Sequence, residues 1–235
     1  MKSAEIIREL KSLGKESIKK VLLKHGAKEP FFGVKIEDLK KISKRVKQNH
    51  SLAMELYDSG ISDAMYLAGI IAEVDKMKKK DIESWAEKAN WSMICETTIA
   101  WVASESKFGE ELADKWIESK KESLASSGWA TYSAIVSMRP DEALDAKKIK
   151  MMLDRISKTI HQSPNRVKHT MNGFVISTGV FIKELTDYSQ QVAKKIGVVM
   201  VDMGETSCKE PPAFDYIEKI KAKGLIGKKK KTVRC

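Results

Sequence analysis

Cysteine is scarce in this chain: Cys95, Cys208 and Cys235 are the three in 235 residues, with no CxxC pair and no zinc-ligand spacing. That argues against a disulfide framework and a structural metal, and thiols are expected instead. No run of about 18 apolar residues occurs, so no membrane partner is expected. The opening MKSAEIIRELKSLGKE is charged throughout and lacks the apolar core of a signal peptide. A cytoplasmic protein is the expectation. Nor is there a Gly-rich phosphate loop, an HExxH, a GxSxG or a helix-hairpin-helix signal, and no cofactor is expected. Prolines number five, and Pro30, Pro140, Pro164 and the Pro211-Pro212 pair all fall between periodic segments, where a helix stops or starts.

What is present is helical periodicity almost from end to end. Ile36, Leu39, Ile42 and Val46 form one apolar stripe and Ile61, Met65, Ala68 and Ile71 another, while no segment reads as a strand. The pattern predicts helices near 3–13, 15–25, 36–48, 50–59, 61–73, 78–88, 91–103, 108–120, 122–138, 141–160, 164–182, 185–202 and 212–223. Ser3 is placed to cap the first of them, although Ile6 stands where a capping box needs Glu or Gln. Helix–turn–helix units of roughly 35–45 residues recur, as in a HEAT- or armadillo-like solenoid; a compact irregular bundle is the alternative. The fold class expected is therefore all-α, with one helical-repeat domain over residues 1–226. Residues 227–235, GKKKKTVRC, have almost no apolar content and read as a disordered basic tail.

The net charge of +11 is not evenly spread. Residues 147–195 hold ten Lys/Arg against Asp154, Glu184 and Asp187, and residues 218–235 hold eight against Glu218, whereas the first 146 residues are balanced. A one-sided basic field suits a polyanion, because each neutralised phosphate releases condensed counterions. A solvated lysine surface without a partner is the plainer reading of the same charge.

The segment GVKIEDLKKISKRVKQNHSLAMELYDSGISDAMYLAGIIAEVDKM, followed by DIESWAEKANWSMICETTIAWV, is similar in order and spacing to the helical-repeat half of the AlkD-like alkylpurine DNA glycosylases, the DNA alkylation-repair family. Weaker matching continues through Trp129 and from Asn165 to Phe181. The resemblance implies a right-handed superhelix of antiparallel HEAT-like helix pairs whose basic concave face cradles duplex DNA. It also implies a pocket in which a Trp and an Asp four residues later flank the alkylated nucleotide. Trp91 matches that Trp, but Cys95 stands at the place of the Asp, with Glu96 the nearest carboxylate. The family's arginine falls on Tyr132 through the match at WATYSA, and its second cleft Trp falls on Phe174. Both aromatic positions stay aromatic; both charged ones have changed.

Excision of a cationic, alkylated base needs electrostatic stabilisation of an oxocarbenium-like sugar, which a neutral thiol supplies poorly. One helix position turns a side chain by about 100°, so Glu96 points elsewhere than the family's Asp unless one extra residue restores the register. Either Glu96 substitutes, with Trp91 and Phe174 walling the nucleotide, or the chain keeps the DNA-cradling scaffold without the reaction.

Each residue also has a structural reading. Trp91, Trp101 and Trp129 suit helix-packing anchors, and Cys95 suits a small buried hydrophobe. Glu96, the only charged residue between Lys88 and Glu105, reads as an exposed helix residue or as a cleft acid. His161, Arg166 and His169 lie in HQSPNRVKHT at the head of a helix, where a phosphate contact or plain surface fits better than a general base. Asn172-Gly173 interrupts an apolar helix, as a helix-packing notch or a close ligand approach does. The turn-like Gly204–Cys208 has no assigned role.

Two functions follow as expectations. One is a monomeric alkylation-repair-type protein that grips duplex DNA, alkylated or not, through Lys147, Lys148, Lys150, Arg166, Lys168 and His169, and excises or recognises alkylated purines. The other is a non-catalytic helical-repeat scaffold that holds an acidic protein partner.

Overall fold

The computed structural model describes residues 2–234. Thirteen α-helices are assigned: α1 Ser3–Leu13, α2 Glu16–Lys24, α3 Ile36–Val46, α4 His50–Asp58, α5 Ser62–Ile71, α6 Lys79–Lys88, α7 Ala100–Glu105, α8 Gly109–Ile117, α9 Glu122–Met138, α10 Ala146–Thr159, α11 Asn165–Phe181, α12 Thr186–Ile196 and α13 Ala213–Ala222. No strand is formed among the described residues. A π-helical segment, Ile94–Ile99, runs directly into α7.

Local chemistry explains several helix ends. Lys2, one position before the Ser3 expected as the cap, opens α1: its N–H donates to the Glu5 carboxylate at 2.9 Å. Lys78 does the same with Asp81 ahead of α6. Asp145 caps α10 by accepting the Lys148 N–H, so that helix starts later than the periodicity suggests, and Asp141–Ala143 forms a separate 3-10 turn. α12 stops at Ile196 because Gly197 takes a positive φ of 58° and donates its N–H to Ala193. Residues 198–202, expected as helix, therefore lie outside it.

Contacts divide the chain into two compact units: Met1–Leu112 with Met203–Ser207 and Arg234–Cys235, and Ala113–Asp202 with Cys208–Val233. In a stack of helix pairs each repeat touches only its neighbours, so burial gathers locally. In the first unit α4 packs on α5, and α5 packs on α3 and on the π-helical segment. Leu10, Leu56, Leu67, Ile82 and Trp85 are among its buried residues. In the second, α9 packs on α11, and α11 on α12 and α13, around Trp129, Leu153, Ile156, Phe174 and Val175. Each such side chain removed from water contributes roughly 1.5–3 kcal/mol.

The basic tail is docked, contrary to the expectation of disorder. The Gly227 N–H donates to Val180 O at 2.8 Å and the Lys230 N–H to Ser137 O at 2.8 Å; Lys229 Nζ donates to Val136 O at 2.9 Å and pairs with Asp141 at 2.7 Å. In the first unit Arg234 donates to Ile70 O and Ala72 O and pairs with Glu105 at 2.5 Å. These acceptors are carbonyls at the C-terminal ends of α11, α9 and α5, which have no partner within their own helix and favour a cation. Apolar content alone does not reveal such donors.

Among the described residues no helix is long and apolar enough to cross a membrane, and no group of three or more His, Cys, Asp or Glu is placed to hold a metal ion. Cys95 and Cys208 form no disulfide; the thiol expected at Cys235 lies outside the described residues.

Candidate nucleic-acid site

Trp91 lies just ahead of the π-helical segment, 6% exposed, with its Nε1–H donating to His25 O at 3.2 Å. It packs with Ala27, Phe31, Leu22 and Met93. The same group borders an apolar cavity of about 360 Å³ whose walls include Ile18, Leu22, Phe31, Leu39, Tyr66 and Trp91. Above it, α2 buries none of its residues, and Val21 is 51% exposed. This helix is held by Lys19, which pairs with Glu29 at 2.7 Å, and at its C-terminal end. Trp91 takes the His25 carbonyl, and Gly204 lies so close to Lys24 O that a Cβ there would sit 2.1 Å away. The turn at Gly204–Cys208 thereby acquires a role: Gly204 is the close-packing residue against the end of α2. Asp63, 6% exposed, also borders the cavity and accepts the N–H groups of Phe32 at 2.6 Å and Val34 at 2.8 Å, which fixes the loop before α3.

Cys95, matched by spacing to the family's carboxylate, is 2% exposed. It lies beside Tyr57, whose phenol is held well above its usual pKa, first by burial and then by the nearby thiol. Tyr57 is stacked on Trp85 at 4.0 Å and donates to Trp85 O at 2.7 Å. The thiol is thus a core group, and a carboxylate in its place would face a closed interior.

Glu96 is half-buried and lies inside the π-helical segment. A π turn closes on the fifth residue instead of the fourth and so inserts one extra residue. The Cys95 N–H still donates to Trp91 O at 3.1 Å, so Trp91 and Cys95 keep α-helical spacing. The extra residue instead offsets this end of the helix from α7 by one position. Thr98, 0% exposed, anchors the segment against α5, where a Cβ on Gly69 would come within 2.7 Å of Thr98 Cγ2.

In the second unit, the positions matched to the family's arginine and second Trp turn inward. Phe174 is 0% exposed and meets Trp129 edge-on at 5.5 Å and Tyr132 at 6.1 Å. With its ring enclosed it cannot wall a nucleotide, which corrects the expectation. Tyr132 is 3% exposed and donates its hydroxyl to Asp114, and Lys148 pairs with the other Asp114 oxygen at 2.6 Å and lies 5.3 Å over the Tyr132 ring. A cation from α10 therefore stands beside Tyr132.

The basic residues expected to meet phosphate are unequally placed. Lys147 and Lys150 are exposed on α10, the latter 4.4 Å over the Tyr188 ring, and Lys168 is half-buried on α11. Lys148 is engaged by Asp114. At the head of α11 the backbone N–H of Arg166 donates to Glu122 at 2.7 Å. His169 Nδ1 lies 2.6 Å from Glu210, whose side chain is 4% exposed and which also accepts from Asn172 at 2.7 Å. Asn172 further donates to Pro211 O, so it pins the segment before α13. Its neighbour Gly173 faces open space and is not a packing notch. Nε2 of His161 meets Ile196 O at the end of α12.

Asp114, Glu122 and Glu210 are the residues that sequence reasoning missed. Nothing in their local sequence marks them, since each acts on a partner 18 to 44 positions away.

The model of the family described as DNA alkylation repair enzyme matches residues 6–188. The chain belongs to that family. An uncharacterized protein of Listeria innocua is 37% identical over 220 residues, covering 90% of this chain and 93% of the relative. An uncharacterized protein of Listeria monocytogenes is 34% identical over 219 residues, with the same coverage. A solved structure 38% identical superposes with a TM-score of 0.90 over 100% of both chains; it is described as one of a new family of proteins related to the HEAT-like repeat DNA glycosylases with affinity for branched DNA structures. The family and the HEAT-like helical fold inferred from residues 33–103 are those found.

Proposed function

We propose that this chain is a DNA-binding member of the alkylation-repair family that recognises branched DNA through phosphate contacts and does not excise bases by the family's aspartate route. The observation that carries the first half is the likeness, over the full length of both chains, to a structure with affinity for branched DNA. The burial of Cys95 beside Tyr57 supports the second half, because charge stabilisation of a sugar cation needs a carboxylate facing the substrate. Lys147, Lys150 and Lys168 are the cations best placed for phosphate, since Lys148 and His169 already face carboxylates. Contacts of this kind position a protein without reading sequence.

The test compares a four-way junction with a linear duplex of the same length and composition in a salt titration. Tighter binding to the junction is expected, weakened in the triple Lys147→Ala, Lys150→Ala, Lys168→Ala variant, with the salt slope reduced by about 0.9 for each phosphate that is no longer neutralised. Equal affinity for the two DNAs would overturn the branched-DNA reading. Incubation with methylated DNA is expected to release no alkylated base. Release that disappears in Glu96→Gln would instead make Glu96 the substitute carboxylate.

A further inference from the structure

The end of α11, the face of α13 and the docked tail enclose a groove of about 350 Å³ in the second unit. Its walls include Val180 and Phe181 from α11, Tyr216 and Ile220 from α13, and Lys228 and Lys230 from the tail. No acidic residue lines it. Tyr216 is 44% exposed, and Lys230 Nζ lies 5.3 Å from the centre of the Phe181 ring. We propose that this groove is a single-stranded nucleic-acid site, in which an unpaired base lies against the Tyr216 and Phe181 rings while Lys228 and Lys230 hold the flanking phosphates.

The tail explains why the lysines face this way. Its backbone is fixed by the bonds from Gly227 to Val180 and from Lys230 to Ser137, and Lys229 turns to Val136 O and Asp141. Lys228 and Lys230, on either side, border the groove. One lysine of the three therefore anchors while its two neighbours border the groove. Eight Lys/Arg against one carboxylate over residues 218–235 add a field of the same sign.

Charge and shape together select the occupant. A purely apolar ligand has no use for two lysines, and a compact anion has no use for aromatic walls. A nucleotide strand offers a flat face and a phosphate at fixed spacing, and a basic groove with stacking aromatics is the arrangement that binds it without sequence preference. The site uses none of the lysines assigned to branched DNA above and stands independently of that reading.

Fluorescence anisotropy with the full chain and a labelled 15-nucleotide oligo-dT tests it. Tyr216→Ala, at an exposed position, is expected to weaken binding about tenfold. The double variant Lys228→Ala, Lys230→Ala is expected to weaken it at least as much and to lower the salt slope by about 1.4, the value for two phosphates on a single strand. Removing equal charge at Lys40 and Lys44, exposed on α3, is expected to change nothing. Unchanged affinity in Tyr216→Ala would overturn the base slot even if the lysine variant binds less. Failure to bind oligo-dT, together with Tyr216-dependent capture of anionic vesicles or poly-glutamate, would overturn the proposal in favour of a lipid or protein partner.

Discussion

The two units put their large aromatic residues to opposite uses. In the first, Trp91 stands beside an apolar cavity of about 360 Å³, beneath a helix that buries none of its residues. In the second, Trp129, Tyr132 and Phe174 close on one another at exposures of 0%, 3% and 0%. Trp91 and Phe174, the two aromatics matched to the family's cleft tryptophans, differ in their surroundings, and only Trp91 of the two has space beside it. An aromatic at a motif position therefore secures volume, and what packs opposite decides whether that volume becomes a wall or a core. Carboxylates are engaged in both: Asp63 holds the N–H groups of Phe32 and Val34 beside the cavity of the first unit, while Asp114 and Glu210 of the second hold Tyr132, Lys148, His169 and Asn172.

Truncating a ring in each unit is the strongest test of this contrast. Phe174→Ala is expected to cost about 3–5 kcal/mol, read by chemical denaturation, whereas Trp91→Ala costs about half as much or less because its ring already borders empty space. Equal losses would erase the distinction, and an unchanged melting curve for Phe174→Ala would return that ring to a pocket wall. Next in size is Cys95→Asp, which restores the family's residue type in a closed interior. A destabilisation of at least about 3 kcal/mol is expected, with no base released from methylated DNA. A stably folded variant that gains excision would show that position 95 faces substrate after all.

A smaller effect is expected on deleting residues 228–235, which removes Lys229 from the end of α9 and Arg234 from the end of α5. A loss of about 1–2 kcal/mol is expected, or a few degrees in melting temperature for a chain of this size. Melting that does not move would restore a disordered tail. The smallest change belongs to Leu22→Trp, which extends into the cavity and should shift stability by less than about 1 kcal/mol. The same enlargement at Val175, fully enclosed in the second unit, should cost about 1–3 kcal/mol. If the two costs match, the cavity is closed to added volume.

Much of the fold was legible in the residues. The stripe Ile36, Leu39, Ile42 placed α3 within two residues of its observed end, and the segments read as 122–138 and 3–13 are helices over those same residues. The candidate site was legible only in outline. Trp91 and Cys95 could be matched by spacing, but not the π turn at Ile94–Ile99 that holds Glu96, where Thr98 seats against Gly69 in α5. Spacing within a single segment does not carry that contact. Phe174 illustrates the limit from the other side, a position matched by local sequence whose ring lies against Trp129 and Tyr132.

What the sequence by itself determined was the helical class, the order and extent of most helices, the C-terminal bias of charge and the family. Each of these rests on patterns within a few turns of chain, where the 3.6-residue period, caps and breakers act. Tertiary structure alone decided which charges are engaged, which aromatics border space and whether the tail docks. Those outcomes depend on partners brought together across 34 residues for Lys148 and Asp114, 41 for His169 and Glu210, and 162 for Arg234 and Ala72. A donor's partner is set by which helix end lies next to it, and no local pattern encodes that neighbour.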